Sequence, residues 1–139
     1  PAMKRLLLDT QVLLWWLADD PRLPPWAIAA VQAPGAEVFV SQVSLWELAV
    51  KQREGRVQVD LARLEQEVNR QHFQWLPLDN NHLLALAQQD SSALPSDRFD
   101  QLLLVQSRLE PLLLLTADPT LYPWGDTVLP LDPPEPGQP

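Results

Sequence analysis

The sequence predicts an α/β fold with a mainly parallel central sheet covered by helices on both faces. Two observations carry this. The runs Leu6-Leu7-Leu8 and Leu112-Leu113-Leu114-Leu115 are short and wholly apolar, as strands buried on both sides must be. Between them, segments with apolar residues at helical spacing alternate with further strand-like pieces, the pattern of repeated β-α-β units.

Taken in order, the first strand covers Lys4 to Leu8 and stops at Asp9. Thr10 is placed to cap a helix from Gln11 to Ala18, with Val12, Leu13, Trp16 and Leu17 on one face. Asp19-Asp20-Pro21 breaks it, and Pro24 and Pro25 suit the first turn of a helix from Trp26 to Val31, ended by Pro34-Gly35. Glu37 to Val40 is strand-like and leads into Ser41. A helix with Leu45, Leu48 and Ala49 as its apolar side then runs to a C-terminal stop at Gly55. Asp60 caps a helix to about Gln71, with Leu61, Leu64 and Val68 inward. Trp75 to Leu78 is a third strand, Asp79 caps Asn80 to Gln89, and Ser91 to Ser96 is a loop. Asp97 begins a helix to about Leu109. The Leu112–Leu115 strand runs into Thr116-Ala117-Asp118, and Thr127 to Leu129 makes a last edge strand. These pieces form one domain, 3–131, followed by a proline-rich tail, 132–139, expected to be disordered. Met3 reads as the natural start.

A chain of 139 residues with 46% hydrophobic content can bury a core without staples. The absence of cysteine excludes disulfides, thiolate metal sites and a cysteine nucleophile, and suits a reducing compartment. No apolar run reaches the roughly 18 residues of a membrane span, and Asp9 and Thr10 interrupt the first one. A cytoplasmic protein without membrane contact is expected. The net charge of −8 argues against coating nucleic acid by bulk electrostatics. It leaves room for an enzyme that meets phosphates through metal ions and a local basic rim, or for a protein that carries a basic partner.

Most of the 18 acidic residues need no function: Asp60 and Asp79 are caps, Asp19, Asp20, Asp126 and Asp132 lie in turns, and Glu65 and Glu67 face water. Asp9 and Asp118 differ, because both follow buried strands and so open onto the carboxyl edge of a parallel sheet, where such folds bind ligands. Glu47 and Asp100 differ too, lying on apolar helices where capping has no use for them. Glu47 could pair with Lys51 at i+4, or face a cleft with other acids. Asp97 is either a helix cap or a fifth member of that group. Two carboxylates about 4 Å apart repel by roughly 4 kcal/mol at an effective dielectric near 20. Converging acids therefore need a cation, and all-oxygen ligation without histidine favours Mg²⁺ or Mn²⁺ over Zn²⁺.

The motifs Leu7-Leu8-Asp9-Thr10, Ser44-Leu45-Trp46-Glu47-Leu48-Ala49-Val50-Lys51, Asp97-Arg98-Phe99-Asp100-Gln101-Leu102-Leu103 and Leu114-Leu115-Thr116-Ala117-Asp118 occur in an order that resembles a PIN-domain ribonuclease, specifically a VapC-type toxin of a type II toxin–antitoxin system. The resemblance spans Leu6 to about Leu131 and implies a PIN-like three-layer α/β/α sandwich. It implies Asp9, Glu47, Asp100 and Asp118 as catalytic, metal-binding acids with Asp97 beside them, and Lys51, Arg98 and Thr116 at the substrate. Thr116 would also support the last acid, and Ser44 the approach to Glu47. It further implies Mg²⁺- or Mn²⁺-dependent endonucleolytic cleavage of RNA, a homodimer, a cognate antitoxin that fills the groove with a basic or apolar segment, and operator DNA bound only through that antitoxin. Many relatives carry a histidine two residues before the acid matched by Asp97 and a proline after it, where this chain has Pro95 and Arg98.

Two other readings remain. One is a catalytically weak PIN scaffold that acts mainly as an antitoxin-binding module. The other is a phospho-acceptor or phosphatase of another doubly wound class, disfavoured because Thr10 and Gln11 follow Asp9 and Thr116-Ala117-Asp118 supplies an acid where a lysine is wanted. Lys51, Arg53, Arg56, Arg98 and Arg108 are candidates for a phosphate-facing rim. His72 and His82 read as surface or partly buried helical residues. Trp15, Trp16, Trp26 and Trp75 read as core or interface aromatics, with part of Leu13-Leu14-Trp15-Trp16 packing against a dimer or antitoxin partner.

Overall fold

The computed structural model describes residues 4–132. The expected start at Met3 and nearly all of the expected disordered tail lie outside the described residues. The strands are β1 (Arg5–Leu8), β2 (Glu37–Ser41), β3 (Gln74–Leu76), β4 (Leu113–Thr116) and β5 (Val128–Pro130). The helices are α1 (Thr10–Leu17), α2 (Pro25–Gln32), α3 (Gln42–Arg53), α4 (Leu61–Arg70), α5 (Asn80–Gln88) and α6 (Arg98–Leu109). The strands form one sheet in the order β3-β2-β1-β4-β5, and every neighbouring pair is parallel.

Side chains alternate across a strand, so the leucine runs feed two cores. Leu6 and Leu8 enter one with Val12 and Leu13 of α1, Ala27 and Val31 of α2, and Leu64 and Val68 of α4. Leu7 and Leu114 enter the other with Leu102 to Val105 of α6. Helices on both faces make the three-layer α/β/α sandwich. α3 supplies Val43 to one core and Leu48 to the other, so it crosses near the edge of the sheet rather than lying on one face.

Several local expectations change. Asp9, not Thr10, caps α1, because its carboxylate accepts from Thr10 N. The buried side of α3 is Val43, Ser44, Glu47 and Leu48, whereas Ala49 is exposed. That face mixes polar and apolar residues, so apolar periodicity alone misplaces it by about one residue. Trp16 keeps its expected place as a packing aromatic, tilted against Phe73 with its Nε1 donating to Gln71. His72 lies in a turn after α4 with φ of 62°, not on a helix. Ser91–Ala93 forms a short 3-10 turn within the expected loop.

His82 is fully buried, contrary to its expected surface or partly buried place. Its Nδ1 accepts from Asp79 N, which puts the ring proton on Nε2, facing Glu110 Oε2 at 2.6 Å. Gln106 joins the same network, donating to Pro77 O and accepting from the Ser41 hydroxyl. The polar groups that link α5, α6 and β2 are thus mutually satisfied, which is what allows them inside.

Leu7 has no exposed surface at the centre of the sheet. Leu7→Ala is expected to cost about 2–5 kcal/mol by urea denaturation, from lost burial plus a cavity. A loss below about 1 kcal/mol would contradict the packing described.

Candidate metal centre

The strand order reverses at the β1/β4 boundary: the chain steps outward from β1 to β2 and β3, then returns to place β4 on the other side of β1. Parallel sheets open a crevice at such a point, outside the carboxyl ends of the strands. Asp9 and Asp118 follow the two strands that flank it. Asp9 N donates to Leu115 O at 3.0 Å, which extends the ladder one residue and fixes the Asp9 backbone.

Hydroxyl groups then aim the carboxylates. Thr116 Oγ1 donates to Asp9 Oδ2 at 2.7 Å and accepts from Asp118 N at 3.0 Å, joining the two strand ends through one side chain. The other Asp9 oxygen accepts from Thr10 N at 2.8 Å. Thr10 Oγ1 lies 2.6 Å from Glu47 Oε1 and 2.9 Å from Ser44 Oγ. A hydroxyl has one proton, and the shorter contact to the carboxylate takes it, so the Ser44 hydroxyl is the donor to Thr10. Glu47 is 7% exposed, and its second oxygen pairs with Lys51 Nζ. Both expectations for Glu47 therefore hold together: it is paired with Lys51 and it lines the cleft.

Asp97 caps α6, its Oδ1 accepting from Phe99 N at 2.8 Å and Asp100 N at 2.9 Å. This sets Asp100 in the first turn of the helix. One cavity is lined by Asp9, Glu47, Asp97, Asp100 and Asp118, with Lys51 and Arg56 as its cations. The structure thus brings the sequence-selected acids into one cleft, Asp97 serving as cap and wall at once.

Burial pushes the Asp100 carboxyl up to about 7, and Asp9, Asp97, Asp118 and Glu47 add to the rise by repulsion. Burial also pushes Asp9 up to about 6, opposed by its hydrogen bonds from Thr116 and Thr10 and reinforced by Glu47 and Asp118. Carboxylates that hold protons this strongly lack positive charge. The donor set is all oxygen, the cations facing it are few, and a hard divalent ion fits.

Among the described residues, the group whose ligand atoms all lie within 4.8 Å of one another is a different one, Asp79, His82 and Glu110. That spacing could admit a metal. However, Asp79 backs Nδ1 of the imidazole and Glu110 backs Nε2, and these nitrogens point in opposite directions. Both nitrogens already have hydrogen-bond partners, Asp79 N at Nδ1 and Glu110 Oε2 at Nε2. In the cleft, Thr116 holds Asp9, while Thr10 and Lys51 hold Glu47.

Not every expected residue reaches the cleft. Thr116 is fully buried and occupied by Asp9 and Asp118, so it positions acids and cannot touch substrate. Arg98 is exposed and is not part of the cleft lining, and Arg108 donates to Trp124 O. Gln11, Leu14 and Trp15 do line it. They share a helical face with Thr10 at spacings of one, four and five residues, a signal present in the sequence but outweighed by the Val12, Leu13, Trp16, Leu17 face.

The structure is thus a parallel α/β/α sandwich whose switch-point cleft is lined by carboxylates. The chain belongs to the PIN domain family, whose model matches residues 6–122. PIN domains are generally metal-dependent nucleases. No curated protein matches this chain. No described helix is long and apolar enough to cross a membrane.

The raised acids set the pH dependence of the metal-free protein. For Asp9 the folded value lies above the unfolded one, so the penalty is absent below about pH 4 and complete above about pH 6. A rise of that size costs on the order of 2–3 kcal/mol once the carboxyl is ionised. Asp100, partly exposed, adds in the same direction up to about pH 7. Asp100→Asn should therefore raise the metal-free melting temperature more at pH 8 than at pH 5, by calorimetry. An equal change at both pH values would contradict the electrostatic reading.

Proposed function

We propose that this chain is an Mg²⁺- or Mn²⁺-dependent endoribonuclease of the VapC toxin type, working in the cytoplasm and neutralised by a cognate antitoxin. The observation that carries the nuclease part is the convergence of Asp9, Glu47, Asp97, Asp100 and Asp118 on one cleft, with Asp100 raised by all the others. Asp9, Asp100 and Asp118 would hold the metal, with Asp97 and Glu47 beside them. When bound, such an ion supplies charge for phosphoryl oxygens and for a developing leaving group, and lowers the pKa of a water.

The chain's own residues do the positioning. Thr116 holds Asp9 and the Asp118 backbone in a fixed relation across the strand ends. Thr10 orients Glu47 by its hydroxyl, and Lys51 offsets the charge of that acid while standing at the cleft wall. Arg56 is the other cation of the lining and is placed to meet a phosphate. This local pair suits an otherwise acidic protein, whose net charge of −8 would repel RNA at longer range.

The toxin role brings partners with it. We take the protein to be a homodimer, with operator DNA contacted only through the antitoxin. Leu83 and Leu84 on α5 and Leu109 on α6 are exposed and could add apolar contacts to a partner. Leu14, Trp15 and Trp16 stay part-exposed, so part of the Leu13–Trp16 run is likewise proposed to meet a partner.

Purified protein incubated with RNA and Mn²⁺ should cut it, and a chelator should stop the reaction. Asp9→Ala and Asp100→Ala, each checked for folding, should lower cleavage by about a hundredfold or more, on the order of the loss of a principal catalytic group. Full activity in either variant would refute the assignment. RNA left intact by the active-site-complete protein would favour the binding-module alternative.

A further inference from the structure

A second cavity, of about 400 Å³, adjoins the acidic cleft. Trp15 and Ala117 line both, so the two spaces share a wall. Arg22, Trp26, Tyr122 and Asp132 complete the surroundings of the second one. We infer that this cavity takes a nucleobase of a single-stranded RNA whose phosphodiester lies in the acidic cleft. The inference rests on the nuclease reading for the identity of the strand and adds a subsite to it.

The chemistry of the walls favours a flat, uncharged ring over a phosphate. The one cation among the described lining residues is Arg22, and Asp20 already holds it through contacts of 3.1 and 2.7 Å. Asp132 adds a negative group. An anion would find no free positive charge among them. A base instead finds π surfaces and the guanidinium plane, which stack on any base. Arg22 lies 4.6 Å from the Trp15 ring centroid, and the buried Trp15 Nε1 has no hydrogen-bond partner among the described residues. Packing and that cation therefore hold the ring. Trp26, on the first turn of α2, is 38% exposed and lines the cavity, so its ring is accessible to a stacked base.

The volume falls in the range of roughly 300–1,000 Å³ found for small-ligand pockets and admits a base with its sugar. The shared wall gives the direction: a strand lying in the cleft passes Ala117 and Trp15 to reach the cavity. A base paired within a duplex cannot leave its stack to enter without cost, so the arrangement selects single strands.

The test uses the full chain carrying Asp100→Asn, so that RNA is bound without being cut, and a fluorescein-labelled single-stranded RNA decamer in Mn²⁺. Trp26→Ala and Tyr122→Leu should each weaken binding roughly tenfold, in line with the loss of one stacked base. Trp26→Phe, which keeps a ring, should stay within about twofold of the parent. Tryptophan quenching by the decamer should fall in Trp26→Ala, and a duplex of the same sequence should bind more weakly than the single strand. Equal affinity and quenching in the parent and in both ring-deleting variants would overturn the subsite. Quenching by a peptide of residues 133–139, with none by RNA, would also overturn it by giving the cavity to a protein segment. The two readings separate cleanly. With Asp100 kept, RNA cleavage that is unchanged by Trp26→Ala and Tyr122→Leu sinks the subsite alone. RNA held through Trp26 but never cut by the Asp100-containing chain keeps the subsite and sinks the nuclease.

Discussion

Like charges crowded at the mouth of a parallel sheet are the constraint around which this protein is built. Asp9 and Asp100 hold their protons to about 6 and about 7, because burial and neighbouring carboxylates both oppose ionisation. Such a group weakens the fold near neutral pH unless positive charge is brought to it. Lys51 offsets Glu47, but among the described residues no salt bridge reaches Asp9, Asp100 or Asp118, since Arg56, the other cation of the wall, pairs with Glu54. Stability given up in this way points to function, since packing alone would have placed apolar residues there.

The sheet order explains how acids far apart in the chain meet. Reversal at the β1/β4 boundary puts the ends of those two strands side by side, and Thr116 ties Asp9 to the Asp118 backbone across the gap. α3 and α6 then close the cleft from the side. Ser41 caps the first and Asp97 the second, so the helix starts that position Glu47 and Asp100 are set by short-range hydrogen bonds. The buried Ser41–Gln106–His82–Glu110 network anchors the same helices from below. His82 serves there as a structural clamp, which accounts for a metal-like trio that lies away from the cleft.

Much of this was legible in the residues. The leucine runs mark strands buried on both sides, and strand-end geometry alone puts Asp9 and Asp118 on one edge. Glu47 and Asp100 stand out because their helices have no capping use for them. Other features were not legible, for physical reasons. The inward face of α3 carries Ser44 and Glu47, so apolar spacing pointed to Ala49, which is exposed. Thr116 looked like a substrate contact, but it has no exposed surface and acts only through the acids. The burial of His82 depends on partners 24 and 28 residues away, which no local pattern encodes. The role of Trp15 emerges only when the space beside Ala117 is seen from both sides.

The central claim is that a divalent cation completes this cleft, and the most direct measurement is an anomalous difference map from crystals grown with Mn²⁺. A peak among Asp9, Asp100 and Asp118 is the result required. Density confined to Asp79, His82 and Glu110, or a cleft that stays empty at millimolar Mn²⁺ and pH 8, would contradict it.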